Sequence, residues 1–234
     1  MYQAIIIFLL ICTSALAKNI EPERTFEFSE KIVLEIDEGN LTFEGKFDGR
    51  DIKILARPRN TKCQDDLRFH DQKLRLTNKK TQGGCPCDYI IYAPQETLID
   101  VTSGASSIIV NDMIGALNVK SGAGSIEGNS FLEQANIQLG AGNVSLNVNS
   151  SSSLKIGAGK GKLSFSKIPQ DKVNLEIAIG TGEAELSLPA NAKVHYETHS
   201  IKKDHIFPDN PDDYKFKINL STGFGKINMS KIQH

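Results

Sequence analysis

The chain has 234 residues, with 27 Lys and Arg against 28 Asp and Glu for a formal net charge of −1. That balance excludes a nucleic acid or an anionic membrane held by long-range charge, and the basic residues stand singly among acids instead of lining a groove. The absence of Trp and an aromatic content of 7% speak against a deep aromatic-lined cleft.

The first element is AIIIFLLICTSALA, residues 4–17, an apolar run ending in Ala15-Leu16-Ala17, a small-x-small cleavage pattern. It is shorter than the roughly 20 apolar residues of a membrane span. The pattern predicts a secretory signal peptide cut after Ala17 (domain 1–17). About 217 residues then remain in an exported chain, periplasmic or extracellular. Ile11 is too large for a lipobox ahead of Cys12. No second apolar stretch follows, so the mature chain is expected not to span a membrane. Cys63, Cys85 and Cys87 survive cleavage, and an oxidising compartment predicts one disulfide, joining Cys63 to Cys85 or to Cys87.

Residues 18–30 are polar and suit a first strand or cap. Residues 49–93 are less regular. They hold DIKILA, a charged segment with Cys63, and CDYIIYAP (87–94), whose apolar run and terminal Pro read as a strand entering an array. Residues 18–96 are therefore read as N-terminal strands and a cap, continuous with repeats over 97–234.

The repeats appear when the glycines are aligned. LNVKSGAGSIEG (117–128), NIQLGAGNVSLNV (136–148), LKIGAGKGKLSF (154–165), LEIAIGTGEAELSLP (175–189) and FKINLSTGFGKINM (216–229) share one plan. Alternating apolar residues lead into Gly-x-Gly, and alternation resumes after it. LEIDEGNLTFEG (34–45) and LIDVTSGASSIIV (98–110) are degenerate copies. The glycine pairs Gly122/Gly124, Gly140/Gly142, Gly157/Gly159, Gly180/Gly182 and Gly223/Gly225 are assigned as structural turns. From Gly104 to Gly180 the first glycines recur every 17 to 23 residues, a solenoid spacing.

The apolar parity slips by one residue across each glycine pair, as between Ile137/Leu139 and Val144/Leu146/Val148. Strand side chains alternate faces with period two, so a slip throws the second set outward unless the chain turns a corner. This predicts an all-β chain wound into a β-solenoid, strand against strand, around an Ile/Leu/Val interior. Aligned on the glycines, Lys160 and Lys162 fall level with Glu183 and Glu185 of the next turn, and Lys226 level with Glu183. Residues 191–214, rich in Pro, Asp and Asn, break the period and are expected to form a loop excursion or end cap.

Candidate chemistry is thin. KIGAGKGKLSF (155–165) has the glycines of a phosphate loop, but KLSF alternates like a strand where a helix N-terminus should follow, and Leu163 replaces the Ser or Thr of Gly-Lys-Ser/Thr. His195, His199 and His205, near Asp204, Asp209, Asp212 and Asp213, form the densest ligand-like cluster. They lack a His-Glu-x-x-His pattern and read as solvated loop side chains, or as a binding loop. Cys63, Cys85, Cys87 and His70 lack zinc-site spacing, so a disulfide is favoured. Asp65, Asp66 and Asp88 could pair as carboxylates on a groove, but nothing separates them from a charged surface. Asn40, Asn143, Asn149, Asn219 and Asn228 head glycosylation sequons, of interest only in a eukaryotic source. No residue is assigned a catalytic, cofactor-binding or metal-ligating role.

CDYIIYAP, then the turns at Gly104, Gly122, Gly140, Gly157, Gly180 and Gly223, resemble a family of exported bacterial putative adhesins that includes the auto-transporter adhesin head (GIN-type) domains. The likeness runs from Ile32 to Met229; residues 191–214 depart from it. It implies a right-handed, single-stranded β-helix-like fold in the cell envelope and carries no catalytic residues over. The expectation is thus a non-enzymatic, exported β-solenoid without cofactor that presents a strand surface, including Asn143, Ser145, Asn147 and Asn149, to an envelope protein or glycan. A scaffold role through another envelope component and association with a second copy stay open. The alternative is a β-helix enzyme, lyase or hydrolase, acting on polysaccharide.

Overall fold

A computed structural model describes residues 23–27, 29–46, 50–58, 65–70, 73–78, 86–198 and 213–232. These residues are all-β and contain no helix. The strands in chain order are β1 (Glu23–Phe26), β2 (Lys31–Lys46), β3 (Ile52–Pro58), β4 (Asp65–His70), β5 (Lys73–Asn78), β6 (Cys87–Pro94) and β7 (Leu98–Asn111). There follow β8 (Ala116–Leu132), β9 (Gln134–Val148), β10 (Ser152–Ser164), β11 (Val173–Pro189), β12 (Val194–Thr198) and β13 (Phe216–Ile232). They join in one sheet ordered β1-β3-β6-β2-β7-β8-β9-β10-β11-β13-β12, with β5 also on β2 and β4 on β5. The order has two ends, so the sheet does not close on itself.

From β2 through β7 to β11 and on to β13, every neighbour is parallel and in glycine register. Only Glu133 separates β8 from β9, yet Ala116 lies beside Gln134 and Leu132 beside Val148. A straight strand as long as β8 would end about 55 Å from its start. The chain must therefore bend within each strand to begin the next one alongside. The bend sits where burial changes parity: Ala135, Ile137 and Leu139 are buried before the glycines of β9, and Val144, Leu146 and Val148 after them.

The glycines assigned as turns thus stand inside strands and do not separate them. Gly122 and Gly124 fall within β8, Gly140 and Gly142 within β9, Gly157 and Gly159 within β10, Gly180 and Gly182 within β11, and Gly223 and Gly225 within β13. The ladder continues through each corner, with Gly182 in register between Gly159 and Gly225. A parallel neighbour on either side keeps the backbone groups bonded through the bend, where a free-standing turn would leave them to solvent. The corners also differ among themselves. Gly124, Gly142, Gly159 and Gly182 take φ between +131 and +137, a conformation Gly225 does not share. A Cβ on Gly225 would lie 2.6 Å from the Gly182 carbonyl oxygen, against 1.8 Å from Gly182 to Gly159. β12 covers only Phe216 to Leu220 of β13, so among the described residues no further turn is laddered onto the Gly225 corner.

Both arms of each strand feed one core in stacked columns. Leu34, Val101, Val119, Ile137, Leu154, Ile177 and Leu220 form one column, and Leu146, Leu163, Leu186 and Met229 another, all at most 2% exposed. Each such side chain removed from water contributes roughly 1.5–3 kcal/mol. Like polar residues also stack. Ser103 Oγ donates to Ser121 Oγ at 2.8 Å, Ser107 and Ser125 hydroxyls meet at 2.9 Å, and Asn136 Nδ2 donates to Asn118 Oδ1 at 2.9 Å.

At the N-terminal end the neighbours of β2 divide. Its first half pairs with β5 and its second half with β6, both parallel, and β3 then lies antiparallel on β6 and β1 on β3. CDYIIYAP is β6, and all of DIKILA but Asp51 falls in β3. Residues 34–45 lie in β2, which pairs with β7 from Lys31 to Glu44. At the C-terminal end the expected excursion is not wholly loop: residues 194–198 form β12, parallel to the first arm of β13. Val194 is buried and Tyr196 packs on the core, and that apolar contact explains the strand despite the polar sequence around it.

The register places Lys160 beside Glu183, Lys162 beside Glu185, and Lys226 beside Glu183. Lys162 Nζ lies 3.7 Å from Glu185 Oε2, while Glu183 Oε1 accepts from Asn228 Nδ2 at 2.8 Å. Both Lys162 and Glu185 side chains are half-exposed. Water screening leaves such a pair little net energy, so Lys162→Ala is expected to change stability by less than about 0.5 kcal/mol in thermal unfolding. A loss above about 1.5 kcal/mol would show that the pair does more than decorate the register.

Candidate functional site

The first glycines of the corners form a column. A Cβ built on Gly122, Gly140, Gly157, Gly180 or Gly223 would lie 2.4–2.8 Å from the carbonyl oxygen of the glycine one turn earlier. A side chain at these positions would meet the backbone of the preceding strand, so the column stays bare and the surface over it is low between the rows on either side. This low surface is a groove of about 970 Å³ crossing β7, β8, β9, β10, β11 and β13. At the usual strand spacing six strands extend about 24 Å.

One wall is the outward row Thr102, Lys120, Gln138, Lys155, Ala178 and Ser221, one residue from each strand in register. Lys120 and Lys155 are the charged residues of the lining, which includes no carboxylate. Lys155 Nζ also lies 2.8 Å from Glu176 Oε1 on the neighbouring strand. Beyond Thr102 the row passes to Glu35, whose carboxylate is held by Arg75. Along the corner run Ala105, Ala123, Ala141, Ala158, Thr181 and Phe224 in register. Phe224 is 85% exposed and sits next to Gly223 of the groove floor.

Past the corner, the outward side of the second arm carries Asn143 and Ser145, both exposed, with Asn147 and Asn149 half-buried. Three sequon residues, Asn40, Asn143 and Asn219, are exposed on strands. A second, smaller hollow of about 240 Å³ is lined by hydroxyl and amide side chains such as Asn136, Ser153, Asn174 and Asn219.

His195 is on β12, where its ring stacks on Tyr214 at 5.1 Å between centroids and its Nε2 lies 3.6 Å from Glu197 Oε1. Lys172 Nζ sits 4.0 Å above the same Tyr214 ring. Lys193 Nζ holds Asp213, and this hydrogen bond keeps the Asp213 carboxyl below the ordinary aspartate range. His199 and His205 lie outside the described residues. Asp88 Oδ1 accepts from the Asn40 backbone N–H at 2.8 Å. Asp65 and Asp66 open β4 opposite Asn78 and Thr77. Cys87 is buried on β6 with its Sγ 3.8 Å from the Asp88 carbonyl oxygen, and Cys63 and Cys85 lie outside the described residues. Among the described residues no group of three or more His, Cys, Asp and Glu could hold a metal, and no helix is long and apolar enough to cross a membrane.

No family model matches the chain, and no curated protein matches it. Solved structures do. A "putative cell adhesion protein" from Clostridium sporogenes is 15% identical with a TM-score of 0.35, covering 91% of this chain and 100% of that one. A "putative adhesin" from Bacteroides fragilis is 14% identical with a TM-score of 0.34, over 90% and 96% of the two chains. A "putative lipid binding protein" from Parabacteroides distasonis is 9% identical with a TM-score of 0.35, over 91% and 96%.

The groove was not read from the sequence, although its signal is present. Glycine at one fixed position in successive turns removes a whole row of side chains, and STGFG places a bulky Phe where sister turns have Ala or Thr.

Proposed function

We propose that the protein is an exported, non-enzymatic binding or scaffold protein of the cell envelope, built as a right-handed β-solenoid that offers its strand surface to a protein or glycan. One observation supports this most: in-register parallel strands set outward polar side chains in straight columns along a rigid stack. Repetition at strand spacing suits a partner that is itself extended. Residues 1–22, where the leader is expected, lie outside the described set.

The winding has its own test. Ser152 pairs at the position next to Ala135 in the register that sets Ser153 beside Asn136. Deleting residues 135–151 removes one turn and joins Gln134 to Ser152, so Leu154 takes the place of Ile137 and Leu163 that of Leu146. In a solenoid each turn contacts only its neighbours. The shortened chain is therefore expected to keep a β-type circular dichroism spectrum and a cooperative thermal transition. Deleting only 135–143 breaks the register and is expected to abolish folding. Collapse of both deletions alike would contradict the stacked-turn reading.

Binding is tested by incubating the purified chain with a polysaccharide panel and with envelope extract. Retention of a glycan or of an envelope protein without change to it fits the proposal. Release of shortened glycan would instead favour the polysaccharide-active enzyme.

A further inference from the structure

We propose that the groove over the glycine column binds an extended acidic glycan lying along the stack, across the strands. This rests on the binding reading above and specifies its ligand class.

Three observations converge. The lining carries two cations and no carboxylate of its own: Lys120 and Lys155 stand two strand spacings apart, about 10 Å, and Lys155 also meets Glu176 Oε1 at 2.8 Å from outside the lining. Between them stands the exposed amide of Gln138, and Thr102 and Ser221 add hydroxyls at the two ends of the row. Amide and hydroxyl groups exchange hydrogen bonds with sugar hydroxyls in either direction. Beside the groove's β13 end stands Phe224, 85% exposed, an aromatic face left in water. Sugar rings present an apolar C–H face that covers such a ring, so the cost of exposing Phe224 falls when a sugar lies on it.

The groove is a poorer match to an acidic peptide. Extended peptides gain affinity by pairing main-chain groups with an open strand edge. Here the backbone of β7 to β11 is engaged on both sides by parallel neighbours, and the edge that β13 leaves open beyond Leu220 among the described residues runs along the strand at one end of the groove, not along the stack where the ligand would lie. What remains for a ligand is side-chain amide, hydroxyl and ammonium, the set that recognises hydroxyls and carboxylates. The groove spans about 24 Å, so affinity should rise with ligand length until the span is filled.

The test uses the full mature chain, polygalacturonate oligomers as the acidic probe, neutral dextran of matched length, and polyglutamate, all by calorimetry. Polygalacturonate is expected to bind, more weakly as salt rises, with dextran at least about tenfold weaker. Lys120→Ala with Lys155→Ala should lower polygalacturonate affinity about tenfold, and Phe224→Ala several-fold, with unchanged thermal unfolding because all three residues are exposed. Dextran bound as tightly as polygalacturonate, or affinity unchanged in the lysine and Phe224 variants, would overturn the proposal. Polyglutamate bound more tightly than polygalacturonate would overturn it in favour of an acidic peptide. If polygalacturonate fails while the chain retains another glycan or an envelope protein, the groove assignment falls and the binding reading stands. If nothing is retained from either source, both fall.

Discussion

Gly159→Ala should cost at least about 3 kcal/mol and leave the chain largely unfolded at physiological temperature. Gly159 is the second glycine of its corner, with φ +137, a backbone conformation that L side chains rarely adopt. A Cβ there would lie 1.7 Å from the carbonyl oxygen of Gly142 in the preceding turn. That oxygen belongs to a backbone laddered to both neighbours, so it cannot give way without breaking the register. Strain and clash act together, and the same geometry recurs at Gly142, φ +131 and 1.7 Å from Gly124 O. The control is Gly161→Ala, two residues on. Its Cβ would meet only the ends of Leu154 and Ile156, at 2.7 and 2.9 Å, side chains that can change rotamer. Neighbouring turns place Val144 and Ala184 at the same position. Gly161→Ala should therefore fall within about 1 kcal/mol of wild type. Urea unfolding of both variants separates the two cases, and a Gly159→Ala chain within about 1 kcal/mol of wild type would refute the corner argument.

The register of the parallel strands was legible because two independent periods agree in the sequence. Glycine marks where the chain must bend, and the parity slip, as from Leu139 to Val144, tells which way the second arm must face to stay buried. Together they fix the register, which is why Lys160 and Glu183 fall side by side. Glycine spacing alone could not separate a turn between strands from a bend inside one. Gly182 and Gly225 read alike in sequence, yet only Gly182 takes the positive φ. The N-terminal strands carry no such double signal. DIKILA and CDYIIYAP alternate like any half-buried strands, and alternation cannot say whether a partner is parallel or antiparallel. Hence the antiparallel pairing of β3 with β6 was out of reach. β12 was hidden for a different reason. Its five residues include His195 and Glu197, and its strand state is imposed by Val194 and Tyr196 docking on the core beside Phe216 and Ile218. The groove was missed because it consists of absent side chains. Phe224 stands among the apolar residues of FKINLSTGFGKINM, and only the bend shows that the middle residue of its corner is exposed.

Phe216→Ala should destabilise the chain by about 3–5 kcal/mol, and the loss should be concentrated at one end. Phe216 opens β13, Phe165 follows the last residue of β10, and both are fully buried. Their rings meet edge to face at 5.2 Å and 83°. The contact joins the end of one turn to the start of another across the intervening β11, while the Phe165 N–H donates to the Ser187 carbonyl at 2.9 Å. Truncating either ring removes apolar burial and leaves a cavity that backbone ladders on both sides cannot collapse into. Beyond area, the edge-to-face pair should contribute about 0.5–1.5 kcal/mol of coupling, measurable as the shortfall of the double Ala variant from the sum of the singles. In a stack held by nearest-neighbour contacts, the weakened joint releases what lies beyond it. Amide exchange of Phe216→Ala should then show β12 and β13 losing protection while β7, β8 and β9 keep theirs. Equal loss along the whole chain would mean that the turns fold and unfold as a single cooperative unit, and that stability is not carried turn by turn.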